Sequence, residues 1–295
     1  MTNHRPDFIV IGAMKSATTT LHEQLARQRG IFMSVPKEPS YFSDDTAYAR
    51  GWRWYSSLFR AAGAGELRGE SSTHYAKLPT YPRTVERMAR AVPGVKLIYA
   101  MRHPNDRLVS HFVHETASGA IRLPLEAAIE RHPELVEYGR YAMQLAPYLE
   151  TFGAANVLPV FFSRLVTRPA DEFARIGRFL GAPAPFTWDP ALGPFNRGVD
   201  RLRPSPIREA LVTAPMITPI RQRLVPRRLS VSLKRFWKAE VGRPTLSPGL
   251  TEQLAEVFDA DLAQLGAWLG VPLDCASFQE RTLAASLEWT KHALA

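Results

Sequence analysis

A short apolar run near the start of the chain, Phe8-Ile9-Val10-Ile11, is the feature that most constrains the fold. Four successive apolar residues, drawn largely from types branched at Cβ, are typical of a strand that is covered on both faces. Gly12 ends the run, and the hydroxyl-rich stretch Thr18-Thr19-Thr20 precedes Leu21 and Leu25, which lie at helical spacing. The sequence therefore predicts a buried strand, a tight turn and a helix.

Strand-like and helix-like segments alternate along most of the remaining chain. Short β-rich runs predict further strands at Leu67 to Ser71, Val95 to Ala100 and Val157 to Phe162. Helical periodicity predicts helices between and after them, around Gly51 to Phe59, Pro82 to Ala91, Pro104 to Ser118, Tyr138 to Phe152 and Pro169 to Leu180. This order predicts an α/β fold with a central, mainly parallel sheet covered by helices.

We expect residues 1–295 to form a single domain with two distinct later regions. Repeated prolines interrupt any helix at about 200–248, so an insertion or lid is expected there. A closing helical region is expected at 249–295, because apolar residues return at helical spacing and trace one face: Leu250, Leu254, Val257, Phe258, Leu262, Leu265 and Leu269.

The formal net charge of +9 is concentrated in one segment. Residues 201–243 contain eleven Lys and Arg against two acidic residues, whereas the rest of the chain is balanced. Such a local segment favours contact with an anionic acceptor or a membrane surface, and nucleic acid is not expected as a partner. A solvated, partly packed excursion explains the same residues equally well.

Cysteine usage and the first residues bear on the compartment. Cys275 is the single cysteine, so an intramolecular disulfide is impossible and a reducing compartment is indicated. No apolar leader precedes Phe8, and no cysteine spacing suggests a metal site. We expect a cytoplasmic protein without a bound metal, peripheral to the membrane if the basic segment contacts lipid.

The turn after the first strand has the composition of an anion-binding loop. Lys15 contributes a positive charge, Ser16 and Ala17 are small enough for close backbone approach, and Thr18 to Thr20 add hydroxyl donors at a helix start. Two residues separate Gly12 from Lys15 and a second glycine is absent, so the loop departs from the nucleoside triphosphatase pattern. These residues alone fit a phosphate or phosphosulfate site, and also an ordinary strand–helix turn.

A second candidate anion site follows the strand predicted at 95–100. Pro104 sets the first turn of the next helix, which places Arg102 just before that helix and Ser110 about two turns along it. Both side chains can face one anion at the carboxyl end of a strand, where open α/β sheets bind ligands. Taken singly, Arg102 fits a surface ion pair and Ser110 a solvated helix position.

The two motifs together resemble those of sulfotransferases that use 3′-phosphoadenosine-5′-phosphosulfate (PAPS), in particular bacterial proteins similar to glycosaminoglycan and heparan sulfate sulfotransferases. The resemblance implies a P-loop-NTPase-like, three-layer α/β/α fold and in-line transfer of the sulfuryl group from PAPS to a hydroxyl or amine. It implies that the 5′-phosphosulfate is held by Lys15, Ser16, Ala17, Thr18, Thr19 and Thr20, and the 3′-phosphate by Arg102 and Ser110. It also implies a loop that covers the co-substrate, for which the candidates are Arg197 and Gly198.

Two residues are candidates for the general base that removes the acceptor's proton. The resemblance places the catalytic glutamate of the glycosaminoglycan-type enzymes at Glu38, with Lys15 neutralising charge on the leaving oxygen. Without the family, an ion pair with Lys37 would explain Glu38. His74 is the competing base, because cytosolic sulfotransferases of phenols and steroids use a histidine from a comparable strand end. Ser71 stands where the glycan-type enzymes have a lysine, which puts any transferred lysine role in doubt.

Two other functions remain as alternatives. A P-loop-type kinase or hydrolase would use Lys15 on a nucleoside triphosphate, and a non-catalytic module would bind membranes or polyanions through residues 201–243. The sequence leaves open whether the acceptor is a glycan, a glycolipid or a small metabolite. It also leaves open O- or N-sulfation and the oligomeric state.

Overall fold

The computed structural model describes residues 4–192, 243–284 and 287–290. Strands of this part form one sheet: β1 (Phe8–Gly12), β2 (Ile31–Met33), β3 (Leu67–Ser71), β4 (Lys96–Met101) and β5 (Val157–Phe161). Their order is β2-β3-β1-β4-β5, and every neighbouring pair is parallel. The predicted α/β class with a mainly parallel sheet is confirmed. The sequence pattern does not predict β2, because three residues are too few to show a period.

Helices fill the connections between the strands. The first group is α1 (Thr18–Ala26), α2 (Asp45–Ala49), α3 (Gly51–Ser57) and α4 (Thr84–Ala91). Between β4 and β5 lie α5 (Pro104–Ser118), α6 (Leu125–Arg131), α7 (Glu134–Glu137) and α8 (Tyr141–Phe152). After β5 come α9 (Phe162–Thr167), α10 (Pro169–Leu180), α11 (Pro248–Leu269) and α12 (Phe278–Ala284). The bounds of α5 and α10 agree with the prediction, and α3, α4 and α8 are slightly shorter than predicted.

The central strand β1 is fully buried and contributes to two apolar layers. Phe8 and Val10 pack on one face of the sheet with side chains of α1 and α10. Ile9 and Ile11 pack on the other face with side chains of α3, α8 and α11. Because successive strand residues point to opposite faces, helices on both sides are needed to cover this strand. The resulting three-layer α/β/α arrangement agrees with the predicted fold.

Helix α11 packs against the body as predicted, with one correction. It begins at Pro248, and the Ser247 hydroxyl accepts a hydrogen bond from the Leu250 N–H at 3.4 Å. Five of the predicted apolar positions are buried: Leu254, Phe258, Leu262, Leu265 and Leu269. The prediction that Val257 belongs to this face is wrong, since its side chain is 41% exposed. Val257 lies about 100° around the helix axis from Phe258.

Several predictions fall on residues outside the described ranges. These are Arg197, Gly198, the expected lid as far as residue 242, and the basic segment except for its last residue, Arg243. Arg243 forms an ion pair with Asp106 on α5. Among residues 4–192, 243–284 and 287–290, no helix combines the length and apolar character needed to cross a bilayer.

Candidate active site

Polar loops leave the carboxyl edge of the sheet from adjacent strands. Glu38 lies in the loop after β2 and docks on the end of β3, Lys15 follows β1, and Arg102 follows β4. The carboxyl ends of parallel strands meet at one edge, where ligands bind in open α/β sheets. The order β2-β3-β1-β4 therefore brings these three predicted residues to the same edge, with the Lys15 loop in the middle.

The loop after β1 has an unusual backbone for residues other than glycine. Lys15 has φ 72° and Ala17 has φ 64°, both in the left-handed region. The Ala13 N–H donates to the Ala100 carbonyl of β4 at 2.7 Å, which ties the loop to the neighbouring strand. Left-handed conformations cost energy for such residues and cluster at ligand-binding sites. The backbone thus supports a binding role over that of an ordinary turn.

The first turn of α1 has the features of an anion site. No side-chain hydrogen bond caps this turn at Ala17, so its backbone N–H groups are not satisfied in the usual way. Ser16, Thr18 and Thr20 are buried, whereas Lys15, Ala17 and Thr19 are half-buried. An uncapped helix start and a lysine in the preceding turn suit a phosphate or sulfate oxygen.

Arg102 lies just beyond β4, and its side chain is only 17% exposed. Its guanidinium carbon lies 4.7 Å from the centroid of the Phe162 ring, and Nη2 lies 3.7 Å from Asp106 Oδ2. Its Nε atom is buried without a hydrogen-bond partner. Burial lowers the pKa of Arg102, and Asp106 opposes that shift. Other buried arginines, such as Arg107, also have an unpartnered Nε, so the position of Arg102 at the carboxyl edge of the sheet is what makes its free donor suit an anionic ligand. Ser110 is half-buried on α5, two turns away.

Tyr141, the first residue of α8, supports the backbone of Arg102. Its hydroxyl donates to the Arg102 carbonyl and accepts from the Arg102 N–H at 3.2 Å. Burial raises the pKa of Tyr141 to about 12, and Arg107, Arg102 and Ser16 act against that rise. Tyr141 therefore stays neutral. Its hydroxyl bonds to Arg102 after β4, and Ser16 of the loop after β1 lies close enough to influence its pKa. The sequence places Tyr141 in a Tyr-Gly-Arg-Tyr run before a helix that resembles the family's Gly-x-Tyr helix, but it gives no signal for the contact with Arg102.

Glu38 is fixed at the end of β3. Its N–H donates to the Ser71 carbonyl at 2.9 Å, and its Oε2 accepts from the Thr73 N–H at 2.7 Å. Lys37 forms an ion pair with Oε1, so the pairing that the sequence suggests does occur. That pair engages one oxygen only. Glu38 has a left-handed φ of 62°, and its side chain is 34% exposed, so the carboxylate is both positioned and reachable.

His74, the competing candidate base, lies on the 3₁₀ turn Thr73–Ala76. Its ring stacks on Tyr81 with centroids 5.1 Å apart, and its Nδ1 is buried without a hydrogen-bond partner. Burial lowers the pKa of His74, and the charge of Lys77 lowers it further. Glu38 bonds to the N–H of Thr73 and His74 is the next residue, so both candidates lie at one turn.

Sequence reasoning misses two residues near Glu38, namely His22 and Lys77. The Nδ1 atom of His22, on α1, and the Ser71 hydroxyl are joined by a 3.0 Å hydrogen bond, and burial lowers the pKa of His22 to about 4. A neutral His22 therefore links α1 to β3 where a lysine would stand in the glycan-type enzymes. Lys77 is a buried cation one residue after the 3₁₀ turn. Its only sequence signal is a charge within an otherwise apolar stretch.

Comparison with known families gives one match over most of the chain. Residues 5–266 match the family described as "Sulfotransferase domain". Heparan sulfate glucosamine 3-O-sulfotransferase 6 of Homo sapiens is 31% identical over 185 residues, which cover 60% of this chain and 52% of that protein. Bifunctional heparan sulfate N-deacetylase/N-sulfotransferase 4 of Mus musculus is 26% identical over 210 residues, covering 64% of this chain and 24% of that protein. The match spans about half the length of the first relative and less of the second.

Solved structures with the same fold include a sulfotransferase from Alicyclobacillus acidocaldarius. It superposes with a TM-score of 0.64 and 22% identity, covering 91% of this chain and 97% of that one. Mouse sulfotransferase SULT7A1 complexed with PAP superposes with a TM-score of 0.52 and 16% identity, covering 95% and 89% of the two chains. At these identities the structural likeness supports the fold alone.

Proposed function

The chain belongs to the family defined by the sulfotransferase domain, and on this basis we propose that it transfers the sulfuryl group of PAPS to a hydroxyl or amine. Glu38 is the proposed general base. Relatives named for heparan sulfate support a glycan as the acceptor, and a glycolipid or small metabolite is the broader class. The mouse neighbour with bound PAP, the desulfated product, supports PAPS as the donor.

One observation carries this proposal: Glu38, the Lys15 loop and Arg102 lie at the ends of adjacent strands on one edge of the sheet. Two anion sites are needed for a donor that is charged at both its 5′ and 3′ positions. The uncapped start of α1 and the unpartnered Nε of Arg102 provide donors at two separate places. The residues present therefore fit PAPS.

We propose a part in nucleotide or acceptor binding for each of the predicted residues. Lys15, together with residues 16–20, holds the 5′-phosphosulfate, and Arg102 with Ser110 holds the 3′-phosphate. Arg197 and Gly198, which we propose to cover the bound nucleotide, lie outside the described residues. The basic residues 201–243 are proposed to contact an anionic acceptor or a membrane surface.

The chemistry divides between two charged side chains. Bound PAPS supplies an activated sulfuryl group whose leaving group is adenosine 3′,5′-bisphosphate. Glu38 accepts the proton of the attacking hydroxyl or amine, and its bond to the Thr73 N–H holds the carboxylate in place. Lys15 stabilises the negative charge that develops on the oxygen leaving sulfur.

Replacing Glu38 with glutamine tests the assignment of the base. The change keeps the shape and removes proton acceptance, so sulfuryl transfer from labelled PAPS to a panel of glycans, phenols and lipids should fall by about 10²–10⁴-fold. The affinity for adenosine 3′,5′-bisphosphate should stay within about twofold, since Glu38 does not bind the nucleotide. His74→Gln is the matched control and should retain most activity. If His74→Gln loses sulfuryl transfer while Glu38→Gln retains it, the base is His74 and the assignment of Glu38 is wrong.

A further inference from the structure

Lys77 is a buried cation that the proposed reaction does not use. It follows the 3₁₀ turn Thr73–Ala76, and only 8% of its surface is exposed. Its ammonium lies 5.4 Å from the centroid of the Tyr138 ring. Among the residues that the structure describes, no hydrogen bond and no carboxylate at ion-pairing distance satisfies this ammonium.

The two carboxylates near Lys77 are engaged elsewhere. Glu38 pairs with Lys37 and accepts from Thr73, and Glu115 of α5 lies 3.4 Å from His111 Nε2. Burial lowers the pKa of Lys77 to about 8, while Glu38 and Glu115 act in the opposite direction. Lys77 therefore remains mostly charged at neutral pH without a bound counter-ion.

The neighbouring Arg107 shows how this fold treats a buried cation that has a structural role. Arg107 is fully buried; its Nη2 donates to the Leu135 carbonyl and its Nη1 lies 3.5 Å from His111 Nδ1, while its Nε has no hydrogen-bond partner. Within the described part of the chain, the Lys77 ammonium has no comparable acceptor. Lys77 Nζ is not among the fully buried atoms that lack a partner, so solvent and a ligand can reach it. A largely buried charge is costly unless it is paired, so a lysine in this state near the Glu38 carboxylate points to a partner supplied by a ligand.

We propose that Lys77 binds an anionic group of the acceptor, a carboxylate or a sulfate, next to the hydroxyl or amine that Glu38 deprotonates. This inference rests on the proposed function. Thr73, which holds Glu38, begins the 3₁₀ turn and Lys77 directly follows it, which supports placing the anionic group close to the reacting atom of the acceptor. Lys77 thus selects acidic acceptors over neutral acceptors of the same shape.

The test compares 4-nitrophenyl β-D-glucuronide with 4-nitrophenyl β-D-glucoside. The glucuronide has a carboxylate where the glucoside has a hydroxymethyl group. Binding of each is measured by calorimetry on the full chain, with and without saturating adenosine 3′,5′-bisphosphate. The wild type should prefer the glucuronide by at least about tenfold, the size expected for a hydrogen bond to a charged group. Lys77→Met should abolish the preference and Lys77→Arg should retain part of it.

Lys96→Met is the matched control, because Lys96 begins β4 at the opposite edge and its ammonium donates to the Phe179 carbonyl. It should keep the glucuronide preference. Unchanged binding of adenosine 3′,5′-bisphosphate to Lys77→Met shows that the fold and the nucleotide site are intact. If the wild type does not bind that nucleotide, the proposed function is contradicted. The comparison of the two glycosides without nucleotide tests the role of Lys77 independently of that result.

A pH series adds a readout that a purely structural role would not move. The groups facing Lys77 are Glu38, Glu115, Arg107, His74, His111 and Tyr138. Their side-chain types ordinarily titrate outside about pH 7.5–9.5, and burial raises the pKa of Tyr138 further. The glucuronide preference should therefore decline as the pH rises above about 8. Equal binding of the two glycosides by the wild type, including no binding of either, would overturn the proposal. A preference that survives in Lys77→Met would do the same.

Discussion

Replacing Lys77 with methionine should stabilise the protein while it removes the selection of acidic acceptors. Methionine has a similar length and no charge, so it fills the space against Tyr138 without a buried ammonium. Buried charges that lack partners lower stability, and their replacement by apolar residues of similar volume is often stabilising. The variant therefore separates a functional role of Lys77 from a structural one.

The magnitude follows from the pKa of Lys77, which burial lowers from its ordinary 10.5 to about 8. A shift of this size corresponds to roughly 3 kcal/mol at neutral pH, an upper estimate for the gain in free energy of unfolding. Because the folded state binds this proton more weakly than the unfolded state, the wild type gains stability as the pH rises from about 8 towards 10.5. The advantage of Lys77→Met should therefore shrink over the same range.

Urea denaturation at about pH 7 and pH 9.5 measures both effects, with Lys96→Met as the control. Lys96 donates a hydrogen bond to the Phe179 carbonyl, so its replacement should destabilise the protein by about 1 kcal/mol. If Lys77→Met is instead clearly less stable than the wild type at pH 7, the ammonium is paired in the folded protein. That result would refute the reasoning on which the acceptor site rests.

Two further predictions concern other charged side chains. Arg102→Gln should weaken binding of adenosine 3′,5′-bisphosphate by roughly 10- to 100-fold and leave AMP binding nearly unchanged, because the proposed contact is with the 3′-phosphate. Calorimetry measures both ligands, with Arg90→Gln in the exposed Arg90–Glu86 pair as the neutral control. Burial raises the pKa of Glu70 from its ordinary 4.5 to about 7, so the folded protein binds this proton more tightly than the unfolded chain does. The resulting contribution to the free energy of unfolding is full below about pH 4.5 and is lost as the pH rises through about 7. Glu70→Gln should remove this fall in urea denaturation, and parallel pH curves for variant and wild type would contradict the assignment.

The parts of the fold that the sequence predicts well are those with local signals. The runs that form β1, β4 and β5 are largely apolar and long enough to show their pattern, and β3 is predicted although Leu67 is its one large apolar residue. Pro104 marks the start of α5, which places Arg102 before it. The composition of the Lys15 turn is likewise a local feature. Apolar spacing alone does not set the width of a buried helix face, and for that reason it wrongly assigns the exposed Val257 to the buried face of α11.

The remaining site features depend on contacts between distant segments. Glu38 reaches Thr73, which is 35 residues away in sequence, so only the family resemblance could single out that glutamate. The contact of His22 with Ser71 spans 49 residues and has no motif. Lys77 stands out only because folding largely buries its side chain with no acceptor among residues 4–192, 243–284 and 287–290. Tertiary packing, which no local pattern encodes, determines each of these contacts.

The central claim is that two anion sites at one sheet edge bind a nucleotide charged at both its 5′ and 3′ positions. Calorimetric titration of the full chain with adenosine 3′,5′-bisphosphate, AMP and ATP tests it most directly. The account predicts that adenosine 3′,5′-bisphosphate binds at least about tenfold more tightly than AMP or ATP, with no need for Mg²⁺. Equal, weak binding of all three nucleotides would contradict it.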